Sequence, residues 1–189
     1  MSPKNRLFTC IAVGSVVLDQ VSKWLIVAYV GFRDEFDMIP GFLSIVHTKN
    51  RGAAFSALAD FEHRMVVFAI FTVIAALVIL YSLWELPDDD RYQTWALGLI
   101  FGGAIGNGID RILYQEVTDF IRVYTEWPPL AGWLVDKFGT STWPIFNVAD
   151  SAIVVGVVLF LLHYLFMEDR GAKLSTEEIT EIAEGAEKA

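Results

Sequence analysis

Hydrophobic residues run along this chain in four long blocks, and three of the four carry polar side chains at helical spacing. The blocks fall at about 7–30, 65–84, 95–113 and 145–166. A hydrocarbon core about 30 Å thick takes roughly 20 apolar residues of helix, so each block predicts one membrane crossing. The second block holds twenty residues without a charge, which predicts scaffold and a lipid-facing wall. In the third, Gly102 and Gly106 form a small-xxx-small pattern that lets another helix approach closely. Asp119 is expected where that third helix ends.

Between the blocks the pattern changes. Residues 31–64 form a long loop in which Pro40-Gly41 signals a turn and 42–48 is rich in β-branched and aromatic residues, as a strand would be. Asn50-Arg51-Gly52 offers a second turn, and 53–55 a short returning strand. A small sheet on the membrane surface is expected, with His47 and His63 as solvated loop histidines. Residues 85–94 read as a polar hairpin containing Asp88-Asp89-Asp90 in a solvated turn. The second long loop, 121–144, carries Trp127, Pro128, Pro129, Trp133, Trp143 and Pro144, a composition suited to the membrane interface. The predicted fold is an all-α integral membrane protein: a four-transmembrane-helix bundle with a small extracytoplasmic β-element between spans 1 and 2. Residues 1–168 would form the membrane-embedded domain and 169–189 an acidic C-terminal tail.

Composition supports this picture. Hydrophobic residues make up 54% of the 189, with a mean hydropathy of +0.47, above the usual share for a soluble domain. The formal charge of −9 says little about partners, because residues 168–189 hold seven acidic against three basic side chains. No basic cluster suits nucleic acid. One cysteine, Cys10, excludes an internal disulfide framework and an all-cysteine metal site. Lys and Arg divide evenly between the two sides of a four-span layout, but Lys4 and Arg6 flank the first span. That favours cytoplasmic termini and both long loops outside.

The polar residues inside the blocks require an explanation, since an ionisable side chain in lipid costs a few kcal/mol or more and is characteristically functional. Asp19 and Lys23 lie four apart on one helical face and can pair; a structural ion pair with a snorkelling lysine and a part in substrate binding both fit. Asn107, Asp110 and Arg111 fall at i, i+3 and i+4, and Asp110 with Arg111 reads first as a pair anchoring the helix end. Asn147 and Asp150 open the fourth block. The layout puts Asp119 and Asp150 at one membrane face, where two close carboxyls would share a proton, as in aspartic proteases. Serine lacks an evident base, and a metal would need more ligands. Chemistry alone leaves three functions open: aspartyl hydrolysis, proton or ion translocation through a small proton-coupled carrier or channel, and a structural polar cluster.

Five segments then occur in order: Asp19-Gln20-Val21-Ser22-Lys23, Asn50-Arg51-Gly52-Ala53-Ala54-Phe55, Gly106-Asn107-Gly108-Ile109-Asp110-Arg111, Val117-Thr118-Asp119-Phe120 and Phe146-Asn147-Val148-Ala149-Asp150-Ser151. Together they resemble the lipoprotein signal peptidase family (signal peptidase II). The resemblance implies a membrane aspartic endopeptidase that removes signal peptides from diacylglyceryl-modified bacterial prolipoproteins, just before the lipidated cysteine. It implies the extracytoplasmic face of the inner membrane, no cofactor, and inhibition by globomycin-like cyclic peptides. It carries catalysis to Asp119 and Asp150, and supporting roles to Asp19, Lys23, Asn50, Gly52, Asn107, Asp110, Arg111, Asn147 and Ala149. Physically, Asn107 and Asn147 can donate amide hydrogen bonds to the acids or to substrate. The strand holding Asn50 offers backbone pairing to an extended substrate. Two features depart from the family: Gln115 stands where it usually has glycine, and the 31-residue spacing of the two acids is longer than its common form. The extra length, 128–141, is expected to act as a larger lid.

Overall fold

The computed structural model describes residues 1–51 and 63–165. Their elements, in chain order, are α1 (Pro3–Tyr29), β1 (Glu35–Ile39), β2 (Leu43–Asn50), α2 (Arg64–Glu85), α3 (Arg91–Tyr114), β3 (Val117–Val123), α4 (Pro128–Phe138) and α5 (Val148–Leu165). Helices α1, α2, α3 and α5 are each long and apolar enough to cross a membrane, and they match the four expected blocks within a few residues. Gly52, the expected strand at 53–55 and the tail at 169–189 lie outside the described residues.

The helix starts follow local chemistry. Ser2 caps α1 by accepting the Asn5 N–H at 3.3 Å, with Pro3 in the first turn where its missing N–H costs nothing. Asp90, last of the three consecutive aspartates, caps α3 by accepting the Gln93 N–H at 2.9 Å and also pairs with His163 Nε2 at 3.2 Å. Lys4 is buried, donates to the Leu86 carbonyl and lies 3.6 Å from Asp88. It therefore ties the start of α1 to the hairpin after α2.

Helix α3 is the central element, and its glycines set how closely the others approach. A Cβ at Gly102 would lie 2.6 Å from Ser15 Cβ, and one at Gly106 would lie 2.6 Å from Asp19 Oδ2. The bare backbone is what lets α1 press its polar face onto α3. Gly156 brings α5 equally close, since a Cβ there would lie 2.8 Å from the Ala96 carbonyl. Helix α2, as expected for a lipid-facing wall, buries only Phe68, Ile79 and Leu83. An apolar cluster of Phe8, Ala12, Ile79, Leu83 and Leu97 closes the end of the bundle near the α2–α3 hairpin.

At the other end lies an antiparallel sheet in the order β1-β2-β3. Pro40 and Gly41 (φ 76°) form the turn between β1 and β2, closed by a 3.0 Å bond from the Phe42 N–H to the Ile39 carbonyl; proline then glycine with positive φ is the type II signature. Two expectations change here. The described sheet takes its third strand from beyond α3 rather than from the first loop. Strand β2 is central and paired on both sides over 43–45; over 48–50, where Asn50 lies, it pairs with β3 alone among the described strands. His47 is buried, with Nδ1 2.8 Å from the Val30 carbonyl, because β2 turns it inward; His63 is exposed at the start of α2.

Candidate active site

Helix α3 ends at Tyr114, and Asp119 sits on β3 rather than on a fraying helix, a correction to its expected place. The turn between them puts Gln115 in the left-handed region (φ 61°, ψ 13°), the conformation usually given to glycine after a helix. The glutamine thus holds a turn that glycine would adopt without strain.

Strand β3 is held on two sides. Thr48 and Asn50 of β2 pair with Asp119 and Val117, so Asn50 and Asp119 are diagonal neighbours on one face. Asn50 Nδ2 donates to Asp119 Oδ2 at 3.0 Å. On the other side Phe146 pairs with Ile121, its N–H donating to the Ile121 carbonyl at 3.1 Å and its carbonyl accepting the Ile121 N–H at 2.8 Å. This bridge delivers the following residues, Asn147 to Asp150, directly beside Asp119.

Asn147 caps α5, and Asp150 is that helix's third residue. The Asn147 Oδ1 accepts the Asp150 N–H at 3.0 Å, and Asp150 Oδ2 accepts the Asn147 N–H at 3.2 Å. This reciprocal capping box orients the Asp150 carboxylate through the fold itself. Asn147 Nδ2 also donates to Asp119 Oδ1 at 2.7 Å and to Asn107 Oδ1 at 3.0 Å, while Asn107 Nδ2 donates to Asp150 Oδ1 at 2.8 Å. Two neutral amides thus join the two acids. Asp119 is 3% exposed and Asp150 half-buried. Burial above all, with the charge of Asp150 adding, lifts the Asp119 carboxyl from 3.8 to about 6, against the hydrogen bonds of Asn50 and Asn147 and the charge of Lys23.

Behind the amides lies a second cluster. Lys23 Nζ is 2.9 Å from Asp19 Oδ2, 2.9 Å from Asn107 Oδ1 and 3.2 Å from Asp110 Oδ2. All three ammonium donors are used, and the side chain is buried rather than snorkelling. Asp19 Oδ1 accepts the Ala149 N–H at 3.0 Å, satisfying a donor that the first turn of α5 leaves unpaired. Asp110 Oδ2 also accepts the Thr118 N–H at 3.1 Å. The expected Asp110–Arg111 pair is replaced by Asp110–Lys23. Successive residues point to different sides of a helix, so Arg111 lies over the Phe68 ring at 4.5 Å and donates to the Asn107 carbonyl at 3.4 Å. All the sequence candidates among the described residues meet at this rim.

Gln20 was not among them, yet its Nε2 lies 3.0 Å from Asp19 Oδ2, 3.0 Å from Asp110 Oδ1 and 3.1 Å from the Gly106 carbonyl. The available signal was a polar amide in mid-span, where lipid cannot satisfy it. No grouping of three or more His, Cys, Asp or Glu suited to a metal ion occurs among the described residues.

A family model described as Signal peptidase (SPase) II matches residues 11–166. The chain belongs to the signal peptidase II family. It is 43% identical over 172 residues to the lipoprotein signal peptidase of Geobacter sulfurreducens, covering 91% of this chain and 99% of that one. With the lipoprotein signal peptidase of Listeria monocytogenes it shares 41% over 163 residues, 86% of this chain and 95% of the relative. Two solved structures of bacterial membrane enzymes, obtained by the in meso method at 2.3 and 1.9 Å, superpose with TM-scores of 0.65 and 0.66 at 34% and 33% identity. Each alignment covers 84% of this chain, and 87% and 92% of those chains. Signal peptidase II membership thus extends over the four long helices and the sheet, and it makes this a bacterial membrane protein.

Proposed function

We propose that this protein is a membrane aspartic endopeptidase that removes the signal peptide from diacylglyceryl-modified prolipoproteins, cutting before the lipidated cysteine. Family membership supports the substrate class. The observation that carries the chemistry is the pair of carboxyls joined by Asn107 and Asn147, with no cation within 4 Å of either among the described residues. With no cation in direct contact among the described residues, the pair can hold one proton between them. Asp119, the more deeply buried, carries that proton, and Asp150, at the positive end of α5, is the anion.

The reaction is written around one water. Asp150 takes a proton from the water as its oxygen attacks the scissile carbonyl, while Asp119 gives its proton to the carbonyl oxygen. A neutral gem-diol results, and the proton load has moved from Asp119 to Asp150. Asp150 then protonates the leaving nitrogen, the C–N bond breaks, and one diol hydroxyl returns its proton to Asp119. The products are a free carboxyl end on the signal peptide and a free amine on the lipidated cysteine, and the pair is restored.

The remaining assignments belong to the same proposal. Asn107, Asn147 and Asn50 orient the acids; Asp19, Lys23 and Asp110, with the Ala149 N–H, hold α1, α3 and α5 in register behind them; Arg111 and Gly52 keep the supporting part that the family resemblance gives them. Residues 1–168 form the peptidase unit and 169–189 an appended acidic tail. The site faces the extracytoplasmic side of the inner membrane, with cytoplasmic termini, and the lipid moiety of the substrate stays among membrane lipids. Globomycin-like cyclic peptides compete at the two acids.

Purified protein incubated with a lipidated precursor should release a fragment beginning with the diacylglyceryl cysteine, and globomycin should block it. Precursor left intact, with pH-driven ion flux in liposomes instead, would move the protein to the carrier class.

A further inference from the structure

Helix α4 is an apolar helix that the other described residues do not cover. Its sequence, Pro128–Phe138, has one acid and one base, yet it buries no residue; only Ala131 and Leu134 are half-buried. Leu130, Trp133, Val135 and Phe138 are exposed, and so are the flanking Trp127 and Trp143. In helical projection Leu130, Leu134 and Phe138 share a stripe, Asp136 and Gly132 lie on the far side, and Lys137 falls within the apolar arc between Leu130 and Trp133, where its stem can lie along apolar surface and carry the ammonium to the headgroups.

The base of this excursion is rigid. Tyr124 bridges Thr142, the Thr125 N–H donates to the Ser141 carbonyl at 3.1 Å, and the Trp143 N–H donates to the Val123 carbonyl at 2.9 Å. Strand β3 therefore continues into a short ladder with α4 at its tip, and the root of that ladder is four residues from Asp119. Trp143 is five residues before α5 begins, a reach of at most ~18 Å in extended chain. Helix α4 thus emerges beside the rim where α1 and α3 also end. That rim carries exposed aromatics of its own, Trp24 and Tyr29 edge to face at 6.5 Å, and Tyr114. Aromatic side chains at span ends mark the headgroup level.

We infer that α4 is an interfacial helix that lies in the phospholipid headgroup layer next to the active site, with Leu130, Trp133 and Phe138 inserted toward the acyl chains. The occupant of its apolar face is bilayer lipid, because the exposed aromatics continue the belt set by the span ends. Seated there, α4 holds the ladder, and through it β3 and Asp119, at a fixed depth relative to a lipid-anchored peptide. This seating does not depend on the two acids being catalytic, and it replaces the lid expected from loop length.

The test uses the full chain in phospholipid nanodiscs, with Cys10→Ser and single cysteines placed at Gly132, Leu130, Trp133, Asp136 or Phe138 for nitroxide labelling. Labels at 130, 133 and 138 should collide preferentially with oxygen, and labels at 132 and 136 with a water-soluble nickel chelate. As a check free of labels, the emission lost in Trp133→Phe should be the part quenched by brominated phospholipid. Nickel-accessible labels at all five positions, or apolar positions protected only after lipidated precursor is added, would overturn the inference; the second outcome would make α4 a substrate lid.

Discussion

Two groups of acids share one rim of the bundle and differ in what balances them. Asp19 and Asp110 sit on the long helices and share a buried cation, Lys23. Asp119 and Asp150 sit at a strand and a helix start, and among the described residues they receive only neutral amide donors. A lysine balances a carboxylate's charge directly, whereas neutral amides orient a carboxyl without supplying a counter-charge. The first group holds three helices together; the second has what proton transfer requires. Asn107 is the boundary between them: its oxygen accepts from Lys23 and its nitrogen donates to Asp150.

The comparison is broken most severely by exchanging acids for amides. Asp119→Asn and Asp150→Asn should each lower precursor processing by at least about a thousandfold, the upper range for losing a positioned acid or base, while thermal unfolding in detergent changes little. Asp110→Asn should show the reverse pattern, lost stability with residual turnover; equal loss of turnover at all three positions would erase the distinction between the groups.

Lys23→Met sharpens it from the other side. Two buried carboxylates would lose their cation, and breaking a buried ion pair in this way costs about 3–5 kcal/mol, read as a lowered unfolding midpoint. Unchanged stability would mean that the cluster is not what holds α1 to α3.

A third prediction concerns pH. The Asp119 carboxyl is raised to about 6, so its proton is present below that pH and lost above it. Precursor kcat/KM should therefore decline as pH rises through about 6. Asn50→Ala removes a donor that favours the ionised form, so the decline should move to higher pH. A shift in the opposite direction would contradict the assignment of the proton to Asp119.

The smallest effect is local. Gln115 holds a left-handed conformation that costs a non-glycine residue roughly 1–2 kcal/mol. Gln115→Gly should raise stability by about 1 kcal/mol or less, since glycine also gains freedom in the unfolded chain. A fall in the unfolding midpoint would show that the glutamine side chain makes a stabilising contact.

Much of this was legible from the hydrophobic pattern. Four helices of membrane-crossing length follow from four apolar blocks, and the Asp19–Lys23 pair follows from helical spacing alone. The place of Asp119 was not legible, because a strand whose partner lies 69 residues away leaves no local periodic trace. The burial of His47 was not legible either, because its partners, the Val30 and Asp34 carbonyls and the Phe32 ring, come from the chain just after α1 and share no periodic pattern with β2. Helix α4 was hidden by its prolines and tryptophans, which read as loop punctuation although Pro128 and Pro129 occupy the first turn, where proline is tolerated. The part played by Gln20 was not legible because two of its three partners, the Gly106 carbonyl and Asp110, lie on another helix.

The central claim is that one proton resides on the Asp119–Asp150 pair, and infrared pH titration of aspartate-labelled protein measures it directly. The account predicts a protonated-carboxyl band that disappears as pH rises through about 6, and that is absent from Asp119→Asn. A band that is missing on the acid side of that value, or that persists unchanged in Asp119→Asn, would contradict it.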